Sequence, residues 1–160
     1  MNPLYIIIDI SGSMKENGKY HIVQLLIRYI RECHRLSFLE FPFSGIQFGF
    51  WIEDIFWEAI EPLEPFFDYD VFDTSCSLEV LAKWINKDKP KNVLILSDGH
   101  FSQDEIEIFR YQIQKGSTFR CISIGCDANT KNLQAISSEK HCFDSSEIDA
   151  ALHLPFWLQR

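Results

Sequence analysis

Carboxylate and hydroxyl side chains follow two apolar segments of the chain. Asp9, Ser11 and Ser13 come directly after the apolar start of the sequence, and Asp98 comes just after a second apolar run. Oxygen atoms of this kind are hard ligands, which suit Mg²⁺, Mn²⁺ or Ca²⁺ and not a soft metal. If both apolar runs are strands of one doubly wound sheet, their ends meet at the same edge. We therefore expect a divalent metal site there, with Mg²⁺ as the first choice.

Strand and helix patterns alternate along the sequence. Apolar runs and period-two alternation predict strands; these cover residues 1–8, 46–51, 55–60, 92–96, 119–124 and 141–143. Apolar residues three and four apart, together with capping residues, predict helices; these cover residues 22–33, 78–85, 102–113, 129–136 and 146–154. Gly116 is expected to stop the third helix.

This alternation predicts an α/β fold. We expect a doubly wound, mostly parallel sheet with helices on both faces, a Rossmann-like arrangement, and one short antiparallel edge strand. The 160 residues fit a single domain spanning 1–160. Functional side chains should then lie at the carboxyl ends of the strands.

Composition excludes several classes of protein. The net charge is −8, and nothing in the charge pattern forms a basic stripe, which disfavours binding to nucleic acid. The apolar runs are too short to cross a bilayer, and no export signal precedes them, so no membrane partner is expected. Five cysteines without a CxxC pair argue against a disulfide framework or a zinc knuckle. Free thiols indicate a reducing, cytoplasmic location, and we expect a monomer.

The sequence around Asp9 resembles a known family. Asp9-x-Ser11-x-Ser13 after an apolar strand is similar to the metal-ion-dependent adhesion site of von Willebrand factor A domains. The resemblance extends from Leu4 to about Phe143 and implies that these three residues reach the metal. It also implies that Asp98 acts on the metal through water.

The resemblance implies a third loop that supplies a threonine, bound to the metal directly or through water. Thr74 matches in order and context, because it comes just before a predicted helix. The family usually has Gly-Gly-Thr at this point, whereas this chain has Phe72-Asp73-Thr74. Alignment on Val80 and Leu81 favours Ser75 instead. We predict Thr74 as the ligand and keep Ser75 as the alternative.

The resemblance implies a binding module without catalysis. A metal held by few protein carboxylates keeps its attraction for anions, so a partner protein's Asp or Glu can replace a bound water. Short cytoplasmic bacterial members of the family belong to multi-protein systems, among them stress-response systems. One alternative is a phosphoryl-transfer enzyme similar to haloacid dehalogenases, with Asp9 as nucleophile, although Ser11 replaces the acid that such enzymes need. The other is a scaffold that has lost the metal.

Three further features leave alternatives open. His100 either contacts a partner near the metal face or is an exposed loop residue without a role. Residues 66–73 are predicted to be a loop. The aromatic and acidic segment 56–72 either packs on the core or presents aromatic rings to a partner. The tail at 155–158 either covers the flank of the sheet or docks into a partner. Cys121, within a predicted strand, and Cys126, just after it, are expected to be packing residues.

Overall fold

The computed structural model describes residues 2–38, 43–51, 54–58, 76–153 and 157. Within these residues the chain forms one sheet and five α-helices. The strands are β1 (Leu4–Asp9), β2 (Ile46–Trp51), β3 (Ile55–Glu58), β4 (Asn92–Ser97), β5 (Thr118–Ser123) and β6 (Cys142–Asp144). The helices are α1 (Lys19–Arg35), α2 (Leu78–Asp88), α3 (Gln103–Gln112), α4 (Thr130–Ile136) and α5 (Ile148–Leu152).

The sheet has the strand order β3-β2-β1-β4-β5-β6. Five neighbouring strands run parallel, and β3 pairs antiparallel with β2 at the edge. The chain moves outward from β1 in one direction to β2 and in the other to β4. This reversal places the topological switch between β1 and β4, where ligand sites of such sheets form. The predicted doubly wound α/β fold is confirmed.

Both faces of the sheet are covered, and β1 is accordingly apolar at every position from Ile6 to Ile8. Ile6 and Ile8 belong to a core that includes α1 residues such as Ile27. Ile7 points to the opposite face, because side chains alternate along a strand, and packs in a second core with α2 and α3. A near-continuous apolar run is therefore what this central position requires.

Some predicted boundaries differ from the structure. Helix α3 begins with the predicted capping box of Ser102 and Glu105 but ends at Gln112. Gly116, at φ +127°, lies in the turn before β5 and does not end the helix. The predicted helix 146–154 is shorter: a 3₁₀ turn spans Ser145–Glu147 and is followed by α5. The 3₁₀ turn begins with a capping box of Asp144 and Glu147, which fixes its first residues.

Trp157 covers the flank of the sheet. Its side chain is buried and its ring meets Phe43 edge-on at 5.4 Å. The indole Nε1 donates to the carbonyl of Ala151 at 3.0 Å. Trp157 therefore agrees with the interpretation that the tail covers the flank of the sheet. Pro155, Phe156 and Leu158 lie outside the described residues.

Two other expectations fall largely outside the described residues. The loop predicted at 66–73 lies outside the described residues. Of the segment 56–72, only the backbone of 56–58 is described, and it belongs to β3, within the edge strand predicted at 55–60. Thr74 and Ser75 are likewise not among the described residues. In the part of the chain that is described, no helix combines the length and apolarity needed to span a membrane.

Candidate metal centre

A pocket of about 250 Å³ opens at the carboxyl edge of the sheet. It lies where β1 ends, beside the switch between β1 and β4. Its lining residues are Asp9, Ser11, Gly12, Ser13, Cys76, His100 and Phe101. The three predicted ligands of the first loop therefore share one cavity.

The first loop turns sharply enough to bring its oxygen atoms together. Ser11 has extended backbone angles, and a 3₁₀ helix begins at Gly12. The backbone N–H of Ser11 donates to Oδ1 of Asp9 at 2.9 Å, which closes the turn. The hydroxyl oxygens of Ser11 and Ser13 are 3.3 Å apart. One carboxylate and two hydroxyls thus form a set of hard oxygen donors.

Asp9 is a buried carboxylate with neutral partners. Its side chain is 1% exposed. Among the described residues, its hydrogen-bond donors are the Ser11 N–H, the Ser97 hydroxyl at 2.6 Å and the Cys76 thiol at 3.0 Å. Burial raises the pKa of Asp9, while the bonds from Cys76, Ser11 and Ser97 oppose that rise. A divalent cation would supply the counter-charge that these donors lack, so the site fits the metal.

Asp98 is buried near the pocket but is bound by a lysine. Its Oδ2 accepts a hydrogen bond from Nζ of Lys19 at 3.0 Å, and both side chains are 1% exposed or less. Asp98 is not among the residues that line the pocket. The structure thus brings Asp98 to the predicted edge, with its carboxylate engaged by Lys19.

Lys19 joins three loops at this edge. Besides Asp98, its ammonium donates to Asp127 at 2.9 Å and to the carbonyl of Ser13 at 3.2 Å, which accounts for its three protons. Burial alone would lower the pKa of Lys19, but its bonds to Asp127 and Asp98 raise it. The stem packs so closely on Gly125 that a Cβ there would lie 2.6 Å from Cε of Lys19. Lys19 therefore fixes the loops after β1, β4 and β5 relative to one another.

The third loop places Cys76 in the pocket. Its Sγ lies 3.0 Å from Oδ1 of Asp9 and 2.7 Å from the carbonyl oxygen of Trp51, so two acceptors share the thiol proton. The side chain is partly buried, and burial raises the pKa of the thiol. The indole of Trp51 also donates to the carbonyl of Ser77 at 3.1 Å, which ties this loop to β2. Thr74 and Ser75, the residues predicted for the third loop, lie outside the described residues, and no sequence pattern indicated that Cys76 lines the pocket.

His100 lies at the edge of the sheet that carries the candidate metal centre, and it lines the pocket. Its imidazole is 47% exposed, and Nε2 is 3.8 Å from Oδ2 of Asp98 and 3.9 Å from Oδ2 of Asp127. Within the described ranges, no three His, Cys, Asp or Glu side chains converge closely enough to hold a metal by themselves. A metal here would depend on the serine hydroxyls and on water to complete its ligands.

Of the two cysteines expected to pack in the core, the structure confirms one. Cys121 is fully buried in β5, as a packing residue should be. Cys126 is exposed in the turn after β5 and does not pack in the core, which contradicts the expectation. The chain passes the sheet edge at Gly125, so the next side chain reaches solvent.

Comparison with known proteins shows similarity in structure only. No family model matches the sequence. The comparison with curated proteins gives no match either.

Several solved structures share the fold at low identity. Proximal thread matrix protein 1 from the mussel byssus, in a crystal with a zinc-occupied MIDAS motif, matches with TM-score 0.55 and 13% identity over 95% of this chain. The chain spans 46% of that protein's length. An aerotolerance-related membrane protein from Bacteroides fragilis matches with TM-score 0.58 and 11% identity, covering 95% of this chain and 96% of that one.

A third match is a von Willebrand factor type A structure from Catenulispora acidiphila. Its TM-score is 0.56 at 14% identity, covering 94% of this chain and 41% of that one. These matches agree with the strand order of the sheet and with the helices on both of its faces. The chain has the fold of von Willebrand factor A-type domains.

Proposed function

We propose that this protein is a metal-dependent protein-binding module without catalytic activity. Asp9, Ser11 and Ser13 hold a divalent cation, with Thr74 as the predicted third-loop ligand and Asp98 acting through water. The cation accepts an Asp or Glu carboxylate of a partner protein at a position otherwise filled by water. The domain binds as a monomer and presents this edge of the sheet to the partner.

One observation carries the proposal: the buried carboxylate of Asp9 lines an open pocket with two serine hydroxyls and has neutral donors among the described residues. A buried charge needs a counter-charge or costs free energy. The neighbouring Asp98 has its cation in Lys19, whereas the partners described for Asp9 are dipoles. A divalent ion with one directly bound carboxylate keeps a net positive charge, which attracts an anionic side chain.

The similar folds support a divalent metal in general. The mussel byssus protein carries zinc at its MIDAS motif. For this chain the oxygen donors of the first loop favour Mg²⁺, with Mn²⁺ or Ca²⁺ as alternatives. We also propose, from the resemblance of the sequence to short bacterial members, a cytoplasmic role within a multi-protein system such as a stress response.

Binding of a short peptide that contains a single Glu tests this function. We expect such a peptide to shift the NMR signals of Ser11 and Ser13 in the Mg²⁺-loaded protein, because the Glu carboxylate of the peptide reaches the cation. The same peptide with Gln in place of Glu is the matched control and should cause no shift. Asp9→Ala should abolish the response to Glu. Equal shifts with both peptides, or shifts that persist in chelator, would contradict carboxylate binding through a metal.

A further inference from the structure

The third loop brings a sulfur atom, and not only oxygen atoms, to the proposed metal centre. Cys76 lies just before α2 and lines the same pocket as Asp9, Ser11 and Ser13. Its thiol donates to Oδ1 of Asp9 at 3.0 Å, so the sulfur lies beside the carboxylate that the proposed function assigns to the metal. Among the described residues of the third loop, Cys76 is the one whose side chain lines the pocket, and it comes in addition to the predicted oxygen ligand Thr74.

The position of this sulfur is fixed from two sides. The carbonyl of Trp51, at the end of β2, accepts from the thiol, and the indole of the same residue holds the carbonyl of Ser77. Trp51 itself is fully buried. These two bonds tie the loop of Cys76 to the end of β2 and hold the thiol beside Asp9.

The chemistry of sulfur changes which ion the pocket prefers. Thiolate is a soft ligand that selects Zn²⁺ over Mg²⁺, while carboxylate and hydroxyl oxygens accept either ion. The imidazole of His100, which also lines the pocket, is another ligand type that suits Zn²⁺. Because no three His, Cys, Asp or Glu side chains converge in the described part of the chain, the site is not a closed zinc cage. It keeps a position for a partner ligand, as open zinc sites do.

We propose that Cys76 is a ligand of this metal centre and makes it selective for Zn²⁺ over Mg²⁺. The inference rests on the proposed function, because it takes a metal at Asp9 as given. On binding, the sulfur forms a bond to the ion and its proton passes to the solvent. The ion then replaces the proton that now lies between Sγ and Asp9.

Absorption spectroscopy with Co²⁺, combined with competition by Zn²⁺ and Mg²⁺, tests the proposal. The parent protein should show a thiolate-to-cobalt charge-transfer band in the near ultraviolet, and Zn²⁺ should displace Co²⁺ far more effectively than Mg²⁺. Cys76→Ser, which keeps a donor for Asp9 and for Trp51, should lose this band. The affinity of this variant for Zn²⁺ should fall by more than about tenfold, because losing even a residue that only hydrogen-bonds to a metal ligand lowers metal affinity by about that factor. Its affinity for Mg²⁺ should stay close to that of the parent. Cys126→Ser, at an exposed thiol, is the matched control and should behave as the parent.

The outcomes separate this inference from the function on which it rests. Metal binding that depends on Asp9 but shows no charge-transfer band, or the same Zn²⁺ affinity in Cys76→Ser and the parent, would overturn the role of Cys76 and leave the metal module standing. Absence of any metal binding to the parent would overturn both. A band that survives in Cys76→Ser but not in Asp9→Ala would assign the sulfur to another cysteine and reject Cys76.

Discussion

The ammonium of Lys19 lies 3.0 Å from Oδ2 of Asp98 in the interior of the protein, 79 positions away in sequence. The bond joins the start of α1 to the loop after β4, and Asp127 adds the loop after β5. These loops meet around the switch point of the sheet. The edge that carries the candidate metal centre is therefore held together by a buried cation with two carboxylates.

Lys19→Met should destabilise the fold. The substitution keeps much of the apolar stem and removes the charge, which leaves Asp98 buried without its cation. Removing one partner of a buried ion pair costs roughly 3 kcal/mol in the free energy of unfolding, measured by urea denaturation. Adding Asp98→Asn should recover part of that loss. Lys83→Met, which breaks the exposed pair with Glu79, is the control and should have little effect. Similar stability of the Lys19 and Lys83 variants would contradict the account.

Gly99→Ala should disturb the loop that carries Asp98. Gly99 has φ +74°, and a Cβ at this position would lie 2.7 Å from the carbonyl oxygen of Asn129 and 2.8 Å from Cγ of Leu133. The backbone strain alone costs about 1–3 kcal/mol, and the clash adds to it. Gly45→Ala, which meets no atom within 4 Å, is the matched control. Equal urea midpoints for the two variants would show that the loop has room to adapt.

Trp157→Ala should destabilise the domain by about 3 kcal/mol, the usual scale for removing a buried aromatic ring. The ring lies over the guanidinium of Arg120, at 4.6 Å, and against Phe43. Trp157→Phe keeps most of this packing and should cost less. If the tail were only a docking segment for a partner, both variants would unfold at the same urea concentration as the parent.

Asp144 should contribute to acid unfolding. The backbone N–H and hydroxyl of Ser146 donate to its carboxylate and hold the pKa of Asp144 below its ordinary value of 3.8. A carboxyl group with a lowered pKa in the folded state stabilises the protein fully above its unfolded pKa, and this contribution is lost as the pH falls through the lowered pKa. The difference in the free energy of unfolding between the parent and Asp144→Asn should therefore shrink below about pH 4. A difference that is constant with pH would contradict this.

The sequence predicted the fold well because β1 and β4 are mostly apolar. Such runs have one stable location, the middle of a parallel sheet covered on both faces. The first loop was also predictable, since Asp9, Ser11 and Ser13 are adjacent in sequence and their types suit a single chemistry. Their location beside the switch between β1 and β4 follows from the order of the strands in the sheet.

The rest of the edge depends on contacts that no local pattern encodes. Lys19 reads as an ordinary polar residue at a helix start, yet it is fully buried beside two carboxylates. Cys76 reads as one of several free thiols, and its place beside Asp9 follows from how the end of β2 holds the loop before α2. Only the lack of Gly-Gly-Thr before α2 signalled that the third loop departs from the family pattern.

Calorimetric titration of Mg²⁺ and Zn²⁺ into chelator-stripped protein, with Asp9→Ala alongside, tests the central claim most directly. Among the described residues that line the pocket, Asp9 is the one Asp, Glu, Lys or Arg. We predict saturable binding of one divalent ion per chain in the parent and its loss in Asp9→Ala, while circular dichroism shows the same fold in both. No saturable binding to the parent, or equal binding to the variant, would contradict a metal centre at Asp9.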